Sequence, residues 1–360
     1  MPGPSALPLV SFIIIARNAS QHLPDSLSNI AAQDYPKDRI ELLLVDGCSQ
    51  DGSRRIMEEF AAVHPDLRVI VLDNPGRILS CGWNVALAEA KGDIIIRVDA
   101  HSKIPTDFIK SNVHSMLKGE CIVGGPVISK MAKSLWENLL VTAERSKFGG
   151  AAAAFRNSGT SKHVDTLAYA AYKRTVFEKV GGYDERLVRN QDNEIHYRMK
   201  QAGFKFFFDP AIRSFHIPRS SLYGLLRQKY GNGLWIGLAM GIQPRCFGMR
   251  HFAPALFVGA MVLFFMVGIL RSWVPLVLLS VLYSLAAVVF TVEAIAQSPL
   301  LVKPFCLLLP VIFLSMHGVY GIGTMIGFIR APFFMWKNRN YELPWPIKPS
   351  DRVTPIRGRG

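Results

Sequence analysis

The chain has 360 residues, enough for two domains or one large one. Half of it is hydrophobic and 19% charged, which excludes an ordinary, wholly soluble protein. The formal net charge of +14 does not mark a nucleic-acid binder, because no such motif is present. Between Asp209 and Phe252 stand Arg213, Arg219, Arg227, Lys229, Arg245 and Arg250, with no acidic residue. A basic skirt ahead of apolar stretches fits contact with anionic membrane lipid.

In chain order, "LVSFIIIARNA" (9–19) is a short apolar run of branched residues, the pattern of a buried parallel strand. Such an N-terminus, with no basic leader, reads as a first strand rather than a signal peptide. A helical pattern follows over 20–33, then a second strand, "ELLLVDG" (41–47). "SQDGSRRIMEEFAAVHP" (49–65) opens with cap-forming residues and continues as an amphipathic helix. "RVIVLDN" (68–74) is a third strand, 80–92 a helix stopped by Gly92, and "DIIIRVD" (93–99) a fourth strand. Alternation in units of this length predicts a doubly wound α/β sheet with ligand at the strand C-termini. No Gly-x-Gly-x-x-Gly follows the first strand, which excludes a Rossmann dinucleotide site.

Further on, the pattern predicts a strand over "CIVGGPV" (121–127) and a helix over 131–146. A Gly/Ala-rich loop (148–157), a helix from about Asn190 to Ala202 stopped by Gly203, and a closing strand over 205–216 follow. Then come apolar stretches at 252–270, 273–292 and 304–329. A bilayer core takes about 20 helical residues, so these are expected to be transmembrane. Five scattered cysteines, an odd number without metal-ligand spacing, argue against a disulfide framework and suit a reducing, cytosolic compartment for residues 1–250.

Five residues carry candidate chemistry. Asp99 and His101 sit where such a sheet binds its ligand, and an oxygen and an imidazole nitrogen on alternate residues can reach one divalent cation. A plain strand exit with solvated polar residues would look the same. Asp46 ends the second strand in a turn and can accept hydrogen bonds from a base or ribose, although Ser49 and Asp51 there serve equally as helix caps. Asp192 falls in the first turn of a helix that Asn190 can cap. There it either complements the helix dipole or acts as a general base on a hydroxyl. His216, ending the last strand, matters only if the fold brings it beside a metal.

Taken in order, these pieces resemble the family 2 inverting glycosyltransferases of GT-A fold, over residues 8–235. The family's "VSVIIPTYN" strand is similar to "VSFIIIARN", and its "VDDGSTDGT" to "VDGCSQDGS" with Gly47 for the second aspartate. "NPGRILSCGWNVAL" (74–87) resembles the family's Asn/Gly element, and "YKRTVFEKVGGYDE" (172–185) its "RREVFEKVGGFDE". The D-x-D becomes Asp99-Ala100-His101, and "ED-x-x-L-x-x-R" becomes Gln191 to Arg198. The resemblance is strongest to bacterial exopolysaccharide (succinoglycan-type) glucosyltransferases with C-terminal transmembrane helices.

That resemblance implies a nucleotide site at Arg17, Asn18, Asp46 and Asp99, and Mg²⁺ or Mn²⁺ on Asp99, His101 and His216. It makes Asp192 the catalytic base that moves a hexose, glucose by this likeness, from a UDP-sugar to a polyprenyl-linked saccharide. The processive synthases' Gln-x-x-Arg-Trp is absent: Gln228 and Trp235 have no arginine between them, which implies one sugar per encounter. A processive β-glycan synthase, or an inactive nucleotide-sugar-binding scaffold, are the alternatives. The expected organisation is a cytosolic GT-A domain (1–235), a basic membrane-proximal segment (236–251), transmembrane helices (252–330) and a basic tail (331–360). Such a protein is expected in the inner membrane as a multi-pass chain. Three spans would put the tail outside, whereas Arg330 and the tail's six basic residues (Lys337, Arg339, Lys348, Arg352, Arg357, Arg359) favour the cytosolic side, so that either 304–329 holds a re-entrant pair or one apolar stretch lies in the interface.

Overall fold

The computed structural model of the chain describes residues 7–129, 134–150, 159–216 and 221–343. The first hundred residues alternate as β1 (Val10–Ala16), α1 (Leu23–Ala31), β2 (Ile40–Asp46), α2 (Ser53–Val63), β3 (Arg68–Asp73), α3 (Leu79–Glu89) and β4 (Ile94–Arg97). β2 and β4 flank β1 in parallel, with Ala16 opposite Asp46. Side chains alternate between two cores. Phe12, Ile14, Leu42 and Leu44 join Leu27 of α1 and Met57 of α2. Ile13, Leu43 and Val45 join Trp83 of α3 on the other face. With both faces covered, the strands have no polar side, which is why they read as unbroken apolar runs.

The next elements are β5 (Ser102–Lys103), α4 (Phe108–Leu117), β6 (Ile122–Gly124), β7 (Val127–Ser129), α5 (Leu135–Arg145), β8 (Lys162–Val164), β9 (Ala171–Lys173), α6 (Arg174–Val180), α7 (Gln191–Gln201), β10 (Phe206–Phe208) and β11 (Ser214–His216). The main sheet has the order β3-β2-β1-β4-β9-β6-β10-β8, and a second, three-stranded sheet the order β5-β11-β7. β9 is antiparallel to both its neighbours.

Two expected strands are each split between these sheets: 121–127 into β6 and the start of β7, and 205–216 into β10 and β11. The cause is a pair of coupled bends, at Gly125-Pro126 and at Asp209-Pro210. A Cβ on Gly125 would lie 2.0 Å from the Ile212 carbonyl oxygen, so only glycine allows the two runs to leave together. Beside β11, β5 is antiparallel with His216 opposite Ser102. The small sheet therefore carries His216 to the end of the β4 segment.

Four α-helices follow among the described residues: α8 (Leu222–Ala239), α9 (Ala253–Leu270), α10 (Val274–Gln297) and α11 (Leu309–Lys337). Residue 235, the expected domain border, lies inside α8. Three helical stretches, Ala253–Leu270, Val274–Gln297 and Lys303–Lys337, are long and apolar enough to cross a membrane. Residues 151–157 of the Gly/Ala-rich loop and 344–360 of the tail are outside the described residues.

Candidate active site

The C-terminal ends of β1 and β2 continue into loops that bond to each other. Asn18, at φ +51°, donates its backbone N–H to Ser49 Oγ (2.9 Å) and accepts from the Gln50 N–H at Oδ1 (2.9 Å). The Ala19 N–H donates to Ser53 Oγ and the Ser20 N–H to Asp51 Oδ2, each at 2.9 Å. Hydrogen bonds from the Ser53 hydroxyl and the Ser20 amide hold the Asp51 carboxyl well below the usual carboxylate range. Asp46 is buried and accepts the Ser49 N–H at 3.1 Å. The expected capping by Ser49 and Asp51 takes a different form, since α2 begins only at Ser53 behind Gly52 at φ +85°. Ser49 is engaged across the loop by Asn18. The Arg17 side chain lies over Gly47, where a Cβ would meet it at 3.0 Å.

At the end of β4, by contrast, a charged cluster is assembled across the fold. Arg97, with only 10% of its side chain exposed, reaches Asp99 Oδ1 at 3.1 Å and Asp192 Oδ1 at 3.4 Å. Its guanidinium stands 5.3 Å from the Trp83 ring centroid. Burial by itself would lower the arginine's pKa, but the two carboxylates raise it above its ordinary value. For Asp99 the balance runs the other way. Burial favours the protonated form, yet Arg97, His101, a hydrogen bond from Tyr169 and His216 together hold the carboxyl below its ordinary range. The Tyr169 hydroxyl donates to Asp99 Oδ2 (3.1 Å) and accepts from Ser102 Oγ (2.8 Å). Asp99 is thus fixed on both oxygens.

Asp192 lies in the first turn of α7, with 44% of its side chain exposed. Asn190 does not cap this helix with its side chain. It adopts φ +62°, and its amide donates to the Asn232 carbonyl oxygen at 3.3 Å. One turn along, His196 is buried between Thr166 Oγ1 (2.8 Å) and the Tyr172 hydroxyl (3.0 Å). Burial lowers its pKa to about 4, so it is neutral at pH 7 and sets the helix in place without adding charge. A cavity of about 1020 Å³ opens over Arg97, Asp99 and Asp192 and continues to Phe257, Tyr283 and Tyr320 of the apolar helices. Of the expected residues, Asp99 and Asp192 line it; Arg17, Asn18, Asp46, His101 and His216 lie outside its lining.

His101 and His216 meet edge to face, with ring centroids 5.2 Å apart, and both act electrostatically on Asp99. One carboxylate and two imidazoles thus lie near one another at this end of the sheet, residue types whose chemistry suits Mn²⁺ more than Mg²⁺. Among the described residues, no group of three or more His, Cys, Asp or Glu is arranged to hold a metal ion. Asp99 instead faces Arg97 and Tyr169. Sequence reasoning passed over Arg97, Tyr169 and Trp83. A signal for Arg97 was present: it is the one charge inside the apolar strand "IIIRV", and a charge is almost never fully buried unless paired.

Residues 11–181 match the family model described as glycosyl transferase family 2. The succinoglycan biosynthesis protein ExoA of Rhizobium meliloti is 29% identical over 223 residues, 61% of this chain and 67% of that protein. A dolichyl N-acetyl-α-D-glucosaminyl phosphate 3-β-D-2,3-diacetamido-2,3-dideoxy-β-D-glucuronosyltransferase of Methanococcus voltae is 25% identical over 329 residues. That match spans 89% of this chain and 98% of the relative. Among solved structures, the mannosyltransferase PcManGT of Pyrobaculum calidifontis, in complex with GDP-Man and Mn²⁺, superposes with a TM-score of 0.56 at 21% identity. It covers 91% of this chain and 89% of that one, and at that identity the likeness speaks for the fold. The sheet order, the ends of β1, β2 and β4, and these likenesses agree: the chain is a glycosyltransferase whose family 2 domain has the GT-A fold and is followed by three long apolar helices.

Proposed function

We propose that the protein is a membrane-anchored inverting glycosyltransferase. It transfers a hexosyl residue, which we take to be glucose, from a UDP-sugar to a polyprenyl-linked saccharide. The observation that carries this reading is the cavity of about 1020 Å³. Its lining joins the charged side chains of Arg97, Asp99 and Asp192 to aromatic side chains of α9, α10 and α11, as a lipid-tethered acceptor requires. The names of the two relatives, one in succinoglycan biosynthesis and one acting on a dolichyl-linked phosphate, support polysaccharide or lipid-linked glycan biosynthesis. The catalytic domain is read as cytosolic and the membrane as the inner one.

In this reading the donor nucleotide lies against Arg17, Asn18 and Asp46, with Asp99 at the diphosphate. A divalent cation, Mn²⁺ or Mg²⁺, would be held by Asp99, His101 and His216 and would offset charge on the departing diphosphate. Asp192, open to the cavity, takes the proton of the acceptor hydroxyl. That oxygen then bonds to the anomeric carbon from the face opposite the nucleotide. The bond from anomeric carbon to phosphate oxygen breaks, UDP leaves with the electron pair, and an α-linked donor yields a β-linked product. Arg97 holds Asp99 and Asp192 in fixed relation without touching the reacting atoms.

The test is Asp192→Asn, assayed with labelled nucleotide sugars and a membrane lipid extract. Transfer should fall by about 10²–10⁴-fold, the usual worth of a general base, while UDP binding stays within a few-fold. An equal loss of both would sink the assignment of the base.

A further inference from the structure

By composition α11 is a third membrane crossing. At about 1.5 Å per residue its 29 residues are long enough. Its surroundings point elsewhere, because both of its ends rest on the catalytic domain. At the N-terminal end, Leu309, Ile312 and Phe313 pack in one buried cluster with Leu139, Leu140 and Ala143 of α5. His317 Nε2 donates to the Phe148 carbonyl oxygen at 2.7 Å. Just past the other end, the Tyr341 hydroxyl accepts the Glu185 N–H at 2.8 Å, and the Arg186 guanidinium stands 4.7 Å from the Tyr341 ring centroid. A spanning helix separates its ends by about 30 Å of hydrocarbon, with one end on each side. Both ends of α11 instead touch the catalytic domain.

Between its ends α11 is fastened along α8. A Cβ on Gly233 would lie 2.1 Å from the Tyr320 carbonyl oxygen, and one on Gly237 would lie 2.4 Å from that of Thr324. One on Gly327 would lie 2.2 Å from the Leu234 carbonyl oxygen. The paired numbers rise together, so the helices run parallel, and the small-xxx-small spacing lets their backbones touch. Away from α8, Val311, Leu314, Ile322, Ile329, Phe333 and Trp336 are exposed, and their spacings keep them on one face of the helix.

The other two apolar helices form a hairpin that begins and ends beside this base. Phe252, just before α9, stacks on Phe328 at 6.2 Å, and a Cβ on Gly321 would lie 2.4 Å from the Pro254 carbonyl oxygen. Near the end of α10, Glu293 pairs with Lys147 of the catalytic domain at 3.1 Å. At the far end Trp273 packs on Gly268, leaving Arg271 and Ser272 in the turn.

We infer that α11 lies in the plane of the membrane, its apolar stripe set into the lipid leaflet that faces the catalytic domain, and that only α9 and α10 cross. The partner of the stripe is acyl chain, and Arg330, Lys337 and Arg339 beside it meet anionic head groups. Two crossings return the chain to the side where it began. The basic tail and the catalytic domain then share one compartment, and the charge rule is obeyed.

The inference does not rest on which sugar is moved. It is tested by fusing alkaline phosphatase or green fluorescent protein to the C-terminus, and by inserting each at Ser272, in cells of a Gram-negative bacterium. The C-terminal fluorescent fusion should shine and the C-terminal phosphatase be inactive, with the opposite at Ser272. Phosphatase activity at the C-terminus would show that α11 spans, and inactivity at both places would show that α9 and α10 do not cross; either overturns the inference. A second measurement uses nitroxides at Val311→Cys, Ile322→Cys and Phe333→Cys in a chain freed of its own cysteines that still transfers sugar. In-plane placement gives three similar, shallow depths, whereas a profile through the bilayer centre, or no lipid contact at all, rules it out.

Discussion

The candidate site has two walls built on different principles. The first, the loops after β1 and β2, is held by hydrogen bonds among Asn18, Ser20, Ser49, Gln50, Asp51 and Ser53, drawn from two short stretches of chain. The second, around Asp99, draws on β4, β11, α3, α7 and the segment before β9, and its organiser is a single buried arginine. A wall of the first kind loses one bond at a time. A wall of the second kind concentrates its cost in Arg97, because removing one partner of a buried pair leaves the others uncompensated.

The largest expected effect is therefore at Arg97. Arg97→Met keeps much of the bulk but strands Asp99 beneath Tyr169 and releases Asp192. Only the arginine of this cluster is nearly buried, while Asp99 and Asp192 keep part of their solvation, so the loss costs about 1–3 kcal/mol, read as a lower denaturant midpoint, and transfer should fall with kcat rather than with donor KM. Arg97→Lys restores the charge without the two-pronged geometry that spans both carboxylates, so it should recover stability more than turnover. If Arg97→Met is as stable and as active as the parent, the second wall is not organised by this residue.

That contrast also explains what could be read from the sequence. The first wall was legible, since "ARNAS" and "VDGCSQDGS" are contiguous and turn-forming, and the alternating strands before them repeat the same apolar signal. Asp99, His101 and Asp192 could be picked out by family resemblance. What joins them could not. Arg97 looked like a flaw in an apolar strand, and Tyr169 sits in a loop with no periodic signal, at φ +51°. The small sheet depends on Gly125 and Pro210 diverting two runs at once, a tertiary event that neither run announces. In the same way, the apolar content of α11 reports that it is buried in something. Whether that is lipid on all sides, or lipid on one face and α8 on the other, is decided by glycines that meet backbone about 90 positions away in the chain.

A smaller effect is expected in the first wall. Asn18→Ala removes the acceptor for the Gln50 N–H and places an alanine at φ +51°, a region that asparagine tolerates better. One exposed hydrogen bond and one backbone preference together cost about 1–2 kcal/mol. Because the loops rather than the acid–base group are disturbed, donor KM should rise a few-fold while kcat is kept. A fall in kcat with an unchanged KM would mean that the two walls are coupled more tightly than their separate bonding suggests.

The smallest change in rate, and the sharpest test of the second wall's chemistry, is expected at His101. Its ring packs edge to face on His216, so the pair has a structural use whether or not a cation binds. Replacing the imidazole by a carboxylate places a negative charge and a hard oxygen donor beside Asp99, which favours Mg²⁺ relative to Mn²⁺. His101→Asp should therefore stay active while the rise in melting temperature on adding Mg²⁺ grows relative to that with Mn²⁺. The melting shift needs no turnover, which keeps metal binding separate from catalysis. If both metals raise the melting temperature of parent and variant alike, His101 serves the packing of β5 on β11, and the cation has to be held by other groups.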